Sequence, residues 1–261
     1  MNDDIKDICG RRPFLTSLLA GTCLPLAAQT PYQPKQSDRP EPIEGDEAGF
    51  KPIFNGKNLD GWEGDPKYWR AADNGLVGEV TPDNLLKSNT FIIWRGGTPD
   101  NFELKVDYRL TAGAWGGNSG INYRSVVVPD PVTPSNQFAM KGYQADIDGK
   151  NNYTGQNYEE KGRLFLATRG TVTHVTGVRK PIVISSLGDP KELAAFITPE
   201  WNSYHLIIRG NVLAHVLNGH LMSMVIDDDP VGRAMKGLIG VQVHVGGPMK
   251  IEYRGFRIKE V

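Results

Sequence analysis

The stretch Phe102-Glu-Leu-Lys-Val-Asp-Tyr-Arg-Leu110 decides the fold class of this 261-residue chain. Every second residue from Phe102 to Leu110 is apolar, and every residue between them is charged. A period of two is typical of a β-strand that buries one face and exposes the other. The sequence therefore predicts a strand here, at the edge of a hydrophobic core.

Short strands with tight turns follow on both sides of this stretch. Asn218-Gly219 is a dipeptide that suits a two-residue hairpin turn, and Gly210-Asn211 predicts another. Helical periodicity is limited to a turn at Pro190 to Ala195, and the chain carries 30 glycines and 18 prolines. The further predicted strands are Tyr204–Arg209, Asn211–Leu217, His220–Ile226, Gly240–Val245 and Lys250–Lys259. We therefore expect an all-β fold, an antiparallel β-sandwich or jelly roll.

Composition excludes several functional classes. The chain has 29 basic and 30 acidic residues, a net charge of −1 and no long basic run, so it lacks the electrostatic footprint of nucleic-acid binding. Its two cysteines, Cys9 and Cys23, precede the folded part. A disulfide framework, a thiol nucleophile and a cysteine-rich zinc site are therefore not expected there. Nucleophile-elbow, zinc-protease and phosphate-loop motifs do not occur either.

The N-terminal region predicts export. Arg11-Arg12-Pro13-Phe14-Leu15 precedes an apolar stretch over 18–28 that is too short for a stable membrane span. We interpret residues 1–29 as a twin-arginine-like export signal. A general secretory signal and a lipid anchor at Cys23 stay open, and all three place the protein in the periplasm or outside the cell. Residues 30–48 are predicted to be a linker, and 49–261 one β-sandwich domain.

Three predicted strands, over 118–124, 143–148 and 241–245, carry unusual polar side chains on their outward face. Solvated sheet faces favour lysine, glutamate and threonine, whereas these faces carry amides, carboxylates, an arginine and a histidine. Sugar hydroxyls require such mixed donors and acceptors. The outward residues are Asn118, Asn122, Arg124, Gln144, Asp146, Asp148, Gln242 and His244. If the strands are neighbours, these residues form one saccharide-binding surface; the alternative is an ordinary solvated face.

The segment 151–163 lies between two of these strands and is rich in tyrosines, amides and carboxylates. Tyrosine rings such as that of Tyr158 can stack on the apolar face of a pyranose. Glu159 and Glu160 are adjacent, so on a strand they point to opposite faces and only one can reach a shared site. An exposed loop is the alternative interpretation.

Seven short motifs follow one another along the chain: Phe54–Trp62, Asn118–Ile121 with Tyr123-Arg124, Gly142–Asp146, Tyr158–Glu160 with Gly162-Arg163, Trp201-Asn202, Leu217–Gly219 and Gly255–Glu260. The order of these motifs resembles the 3-keto-disaccharide hydrolase domain family over 54–261. The resemblance implies a concanavalin-like jelly roll in an exported bacterial protein that acts on oxidised sugars. Many members of that family carry glutamate where this chain has Gln144, which cannot act as an acid or base.

The resemblance also implies a chemistry. A ketone at C3 of a glycoside acidifies the hydrogen at C2, so a base could expel the aglycone by elimination, after which water adds back. Direct hydrolysis by paired carboxylates is the rival route. Asp146 or His244 is the expected base, Glu159 the leaving-group acid, and Arg124 or Arg163 the enolate stabiliser.

Substrate contacts are expected from Asn118, Arg124, Gln144, Tyr158, Arg163 and Gln242. The expected partner is a saccharide and no cofactor is predicted. A divalent metal stays open, because Asp146, Asp148, Glu159 and His244 would form an oxygen-rich site only if folding brought them together. The alternative functions are a non-catalytic carbohydrate-binding jelly-roll module and a structural sandwich domain.

Overall fold

The alternating stretch forms the strand Phe102–Ala112, eleven residues long, and its apolar side chains lie in the core. The computed structural model describes Lys35 and residues 47–261. The predicted export signal over 1–29 lies outside the described residues, as does most of the predicted linker over 30–48. Residues Glu47–Val261 form one compact unit. The expected all-β class is confirmed.

Numbered along the chain, the strands are β1 (Lys51–Pro52), β2 (Trp62–Glu63), β3 (Trp69–Ala72), β4 (Gly75–Val80), β5 (Thr90–Trp94), β6 (Phe102–Ala112), β7 (Asn118–Val127), β8 (Met140–Asp148), β9 (Asn157–Glu160), β10 (Leu164–Ala167), β11 (Thr171–Val175), β12 (Ile182–Ser186), β13 (Asn202–Arg209), β14 (Val212–Leu217), β15 (His220–Asp227), β16 (Leu238–Val243) and β17 (Met249–Glu260). The helix α1 spans Pro190–Ala194, and a 3₁₀ helix spans Pro82–Asn84.

Two sheets are formed. The ten-stranded sheet has the order β12-β11-β15-β14-β13-β6-β17-β4-β3, with β1 paired to β17. The seven-stranded sheet has the order β10-β9-β8-β7-β16-β5-β2. Pairing is antiparallel except between β11 and β15. Buried side chains from both sheets form one hydrophobic cluster, so the sheets pack face to face as a sandwich.

The predicted hairpins are present. Strands β13 and β14 turn at Gly210-Asn211, and β14 and β15 turn at Asn218-Gly219. Asn218 and Gly219 both have positive φ angles, 50° and 80°, as the tight turn requires. The turn chemistry visible in the sequence therefore fixed the register of this part of the ten-stranded sheet.

The seven-stranded sheet has a second, smaller apolar cluster on the face that points away from the core. Phe91 and Ile93 of β5 pack there against Met140, whereas Ile92 and Trp94 of the same strand belong to the main core. The segment before Met140 covers part of this face, because the Phe138 carbonyl accepts a hydrogen bond from Phe91 N. The remaining part of the face carries the polar side chains.

Candidate functional site

Three neighbouring strands of the seven-stranded sheet bring the predicted outward residues together. Asn122 of β7 lies opposite Gln144 of β8, and Gly120 lies opposite Asp146. Gln242 of β16 donates through Nε2 to Gln144 Oε1 at 3.4 Å. Side chains at directly paired positions point to the same side of a sheet. We call the group Asn122, Gln144, Asp146, Glu160 and Gln242 the polar face.

Asp146 is the most perturbed carboxyl group of this face. Its side chain is 6% exposed. Its Oδ1 accepts from Gln144 Nε2 at 2.7 Å and its Oδ2 from Gln156 Nε2 at 2.6 Å. Burial, helped by the nearby charges of Glu160 and Asp148, raises its pKa to about 7, although the two amide hydrogen bonds act in the opposite direction. Asp146 is therefore able to hold or release a proton near neutral pH.

Glu160, at the end of β9, is the second carboxyl group. It lies opposite Gly142 in the register with β8 and accepts from Asn89 Nδ2 through Oε1 at 3.3 Å. Burial raises its pKa, whereas Asn89, Lys161 and His244 partly counteract this by favouring the charged form. Two neighbouring carboxyl groups with raised pKa values form the kind of pair that acid–base catalysis uses.

The hydrogen bond between Asn89 and Glu160 shows that this face is concave. Asn89 directly precedes β5, and three strands lie between β5 and β9 in the sheet order. With about 4.8 Å between neighbouring strands, a flat sheet would separate β5 and β9 by about 19 Å. The side chains nevertheless touch, so the sheet curls around the polar face. Asn89 Oδ1 also accepts from Val245 N at 3.0 Å, which orients its amide.

Two amides of the polar face have side-chain atoms without a hydrogen-bond partner among the described residues. Asn122 has no exposed surface, and neither its Oδ1 nor its Nδ2 makes a hydrogen bond. Gln242 is equally buried, and its Oε1 is unpaired. An unsatisfied buried polar atom costs about 1–3 kcal/mol. Such atoms can make the hydrogen bonds to a ligand that carries both donors and acceptors, as sugar hydroxyls do.

Several sequence-predicted residues share this face. Tyr158 lies opposite Gln144 in the β8–β9 register. Burial, together with the charges of Glu160 and Asp146, raises the Tyr158 pKa. His244 directly follows β16, and its electrostatic interaction with Glu160 acts to lower the pKa of that carboxyl group. Asn118 begins β7, opposite Asp148 at the edge of the face.

Glu159 does not join them, contrary to the expectation. It pairs with Tyr143, whose ring belongs to the core, so it points to the opposite side of β9 from Glu160. Its carboxylate forms an ion pair with Arg163. The alternation of Tyr158 and Glu160 on one face could have revealed this, because a site that uses Tyr158 excludes Glu159.

The two arginines expected to face the substrate are also occupied elsewhere. Arg163 pairs with Asp227 at 2.8 Å and Asp229 at 3.1 Å, in addition to Glu159. Arg124 has a positive φ of 46° within an irregular part of β7. Its guanidinium donates to the backbone carbonyls of 100, 210 and 234, and the side chain is 1% exposed. Both arginines therefore connect elements of the fold.

The sequence did not identify three residues of the site as candidates. Glu160 was set aside in favour of its neighbour, and Gln156 and Asn89 lie in segments that have no strand periodicity. Their positions depend on how loops fold over the sheet.

Among residues 47–261, no three His, Asp or Glu side chains gather in the way that metal ligands do. In the same part of the chain, no helix has the length and hydrophobicity needed to cross a membrane.

The family model of the 3-keto-alpha-glucoside-1,2-lyase-like domain matches residues 49–259. The chain belongs to this family. The match covers the whole sandwich, including every residue of the polar face, and it confirms the resemblance drawn from the sequence motifs. No curated protein matches the sequence.

Two solved structures are similar to this family member at low sequence identity. A Bacillus subtilis protein of unknown function with a galectin-like fold has a TM-score of 0.54 and 15% identity, over 81% of this chain and 94% of that one. A proposed glycosyl hydrolase from Parabacteroides distasonis has a TM-score of 0.48 and 21% identity, over 82% and 94%. The galectin-like neighbour supports the jelly-roll class.

Proposed function

We propose that this protein is an exported enzyme that cleaves 3-keto-glycosides, including 3-keto-disaccharides, at the polar face. The observation that carries the proposal is the pair of buried carboxyl groups, Asp146 and Glu160, on the same face as the unpaired Asn122 amide and the unpaired Gln242 Oε1. Family membership supplies the substrate class. The N-terminal sequence over 1–29 supports export.

The two carboxyl groups are suited to different roles. With a pKa of about 7, Asp146 retains its proton in a large fraction of molecules at neutral pH and can act as the acid. Burial raises the pKa of Glu160, which makes its carboxylate a stronger base, and Asn89 donates a hydrogen bond to it. Gln144 fills a supporting role, because its amide donates to Asp146 and orients that carboxyl group.

The proposed reaction has two steps. Glu160 removes the C2 proton, the C–H electron pair forms a C1=C2 double bond, and the C1–O bond breaks while Asp146 protonates the departing oxygen. Water then adds across the double bond, with hydroxyl at C1 and hydrogen at C2, and releases a free 3-keto-sugar. Asn122 Nδ2 can donate to the C3 carbonyl, where negative charge develops, whereas Asn122 Oδ1 and Gln242 Oε1 can accept from ring hydroxyls.

The test is incubation with a methyl 3-keto-glucoside and a 3-keto-disaccharide in D₂O, beside the unoxidised glycosides. We expect cleavage of the oxidised substrates alone, with deuterium incorporated at C2 of the product. Cleavage without deuterium would replace elimination by direct hydrolysis. Saccharide binding without any cleavage would refute the enzymatic proposal and favour a carbohydrate-binding module.

A further inference from the structure

Two aromatic side chains stand exposed beside a cavity near the polar face. Tyr153 is 46% exposed and Phe165 is 49% exposed, and their ring centroids lie 6.2 Å apart at 40°. Both line a cavity of about 350 Å³. This volume falls within the range of about 300–1,000 Å³ that is usual for ligand sites. We call Tyr153 and Phe165 the aromatic platform.

One residue of the cavity wall, Gln156, contacts the proposed proton donor. Gln156 lines the cavity and donates to Asp146 Oδ2 at 2.6 Å. Tyr158, which lies next to both carboxyl groups, packs edge-on against Phe165 with 5.2 Å between centroids. A molecule on the aromatic platform would therefore extend toward the oxygen that Asp146 protonates.

The wall of the cavity is held in place by Arg169. This side chain lines the cavity and is only 8% exposed. Its guanidinium donates to the Asn151 side chain and carbonyl and to the carbonyls of Thr154 and Pro190. These bonds fix the loop that carries Tyr153, so the platform is formed before a ligand binds. Preorganisation of this kind lowers the entropic cost of binding.

We propose that the aromatic platform binds the leaving-group sugar of a 3-keto-disaccharide, an assignment that rests on the proposed function. The apolar face of a pyranose stacks on aromatic rings, while its hydroxyls reach polar groups such as the Gln156 amide. The oxidised ring lies on the polar face, and the glycosidic oxygen lies between the two subsites, next to Asp146. The platform sets the preference for a sugar as aglycone.

The experiment compares two substrates across matched variants of the full chain. Phe165→Ala and Tyr153→Ala remove a platform ring, and Tyr153→Phe keeps the ring but removes its hydroxyl. Leu85→Ala is the control, because Leu85 is 51% exposed and lines a separate cavity of about 500 Å³. The measured quantities are kcat and KM for a 3-keto-disaccharide and for a methyl 3-keto-glucoside.

We expect each alanine variant of the platform to raise KM for the disaccharide by about tenfold, equivalent to the loss of one aromatic contact. KM for the methyl glucoside should change less than about twofold. Tyr153→Phe should raise KM for the disaccharide less than Tyr153→Ala does, because it keeps the ring, and Leu85→Ala should behave like the wild type. Equal changes for both substrates, no change, or an effect of Leu85→Ala alone would overturn the assignment.

A binding measurement separates this assignment from the proposed function. If the wild type cleaves neither substrate, the proposed function fails, and isothermal titration of a 3-keto-disaccharide then tests the platform by itself. Weaker binding by Phe165→Ala than by Leu85→Ala would support a saccharide subsite. The same affinity in both variants, or no binding by the wild type, would reject it.

Discussion

Replacing Asp146 by asparagine should stabilise the protein increasingly as pH rises. Burial raises the Asp146 pKa from 3.8 to about 7. Between these values the folded state binds more protons than the unfolded state, so the wild type loses stability as pH increases. Asparagine does not titrate, so the variant escapes this loss. At about 1.4 kcal/mol per pKa unit, the free energy of unfolding of the variant should gain about 3 kcal/mol on the wild type between about pH 4.5 and pH 8.

The pH dependence isolates the effect of charge from that of hydrogen bonding. The asparagine Oδ1 can still accept the hydrogen bond from Gln144. Its Nδ2, however, faces the Nε2 donor of Gln156, so the Gln156 amide must rotate to present its oxygen. That cost does not vary with pH. Urea unfolding of both proteins across the pH range measures the difference in their free energies of unfolding. Asp83→Asn is the control, because it removes an exposed carboxyl group. A difference that stays constant with pH would refute the buried, proton-retaining state of Asp146.

Four other substitutions test the remaining structural claims. Glu160→Gln should lower kcat at least about 100-fold. Glu159→Gln should leave kcat nearly unchanged but lower the free energy of unfolding by about 3 kcal/mol, because it breaks the ion pair with Arg163. A large loss of kcat in Glu159→Gln and none in Glu160→Gln would identify Glu159 as the catalytic residue instead. Gly120→Ala places a Cβ 2.5 Å from Gln144 Cδ, so the Gln144 side chain must shift. We expect kcat/KM to fall at least about tenfold while the protein still folds. Wild-type kinetics in this variant would show that Gln144 can move freely. Arg124→Met leaves three backbone carbonyls without their donor and should cost about 2 kcal/mol in urea unfolding; wild-type stability would contradict its structural role.

Alternation and turn chemistry predicted the fold from sequence, because they reflect local geometry. The Phe102 stretch is a central strand, and Asn218-Gly219 turns as its residue types require. The same alternation correctly placed Asn122, Gln144 and Gln242 on one face. These residues lie in regular parts of their strands, where period two holds.

The structure departs from the sequence prediction at Arg124, where the backbone pairing is irregular, and at Glu159, where the pairing is regular. Arg124 follows the parity of Asn122 in the sequence, but its positive φ turns it toward backbone carbonyls. Alternation alone places Tyr158 and Glu160 on one face and Glu159 on the other, and the register with β8 shows that the face of Tyr158 and Glu160 is the polar one. Asn89 and Gln156 reach the site from segments outside the strands, so no periodic pattern could identify them.

The contact between Asn89 and Glu160 has a kinetic consequence. If the polar face binds a sugar as proposed, the sugar reaches the buried Asn122 amide only after the hydrogen bond between Asn89 and Glu160 breaks. Association should then be slower than the ~10⁵–10⁷ M⁻¹s⁻¹ usual for docking of preformed surfaces. Shortening the residue 89 side chain should accelerate both binding and release of the sugar. The strength of the Asn89–Glu160 hydrogen bond would then limit how quickly successive sugars exchange.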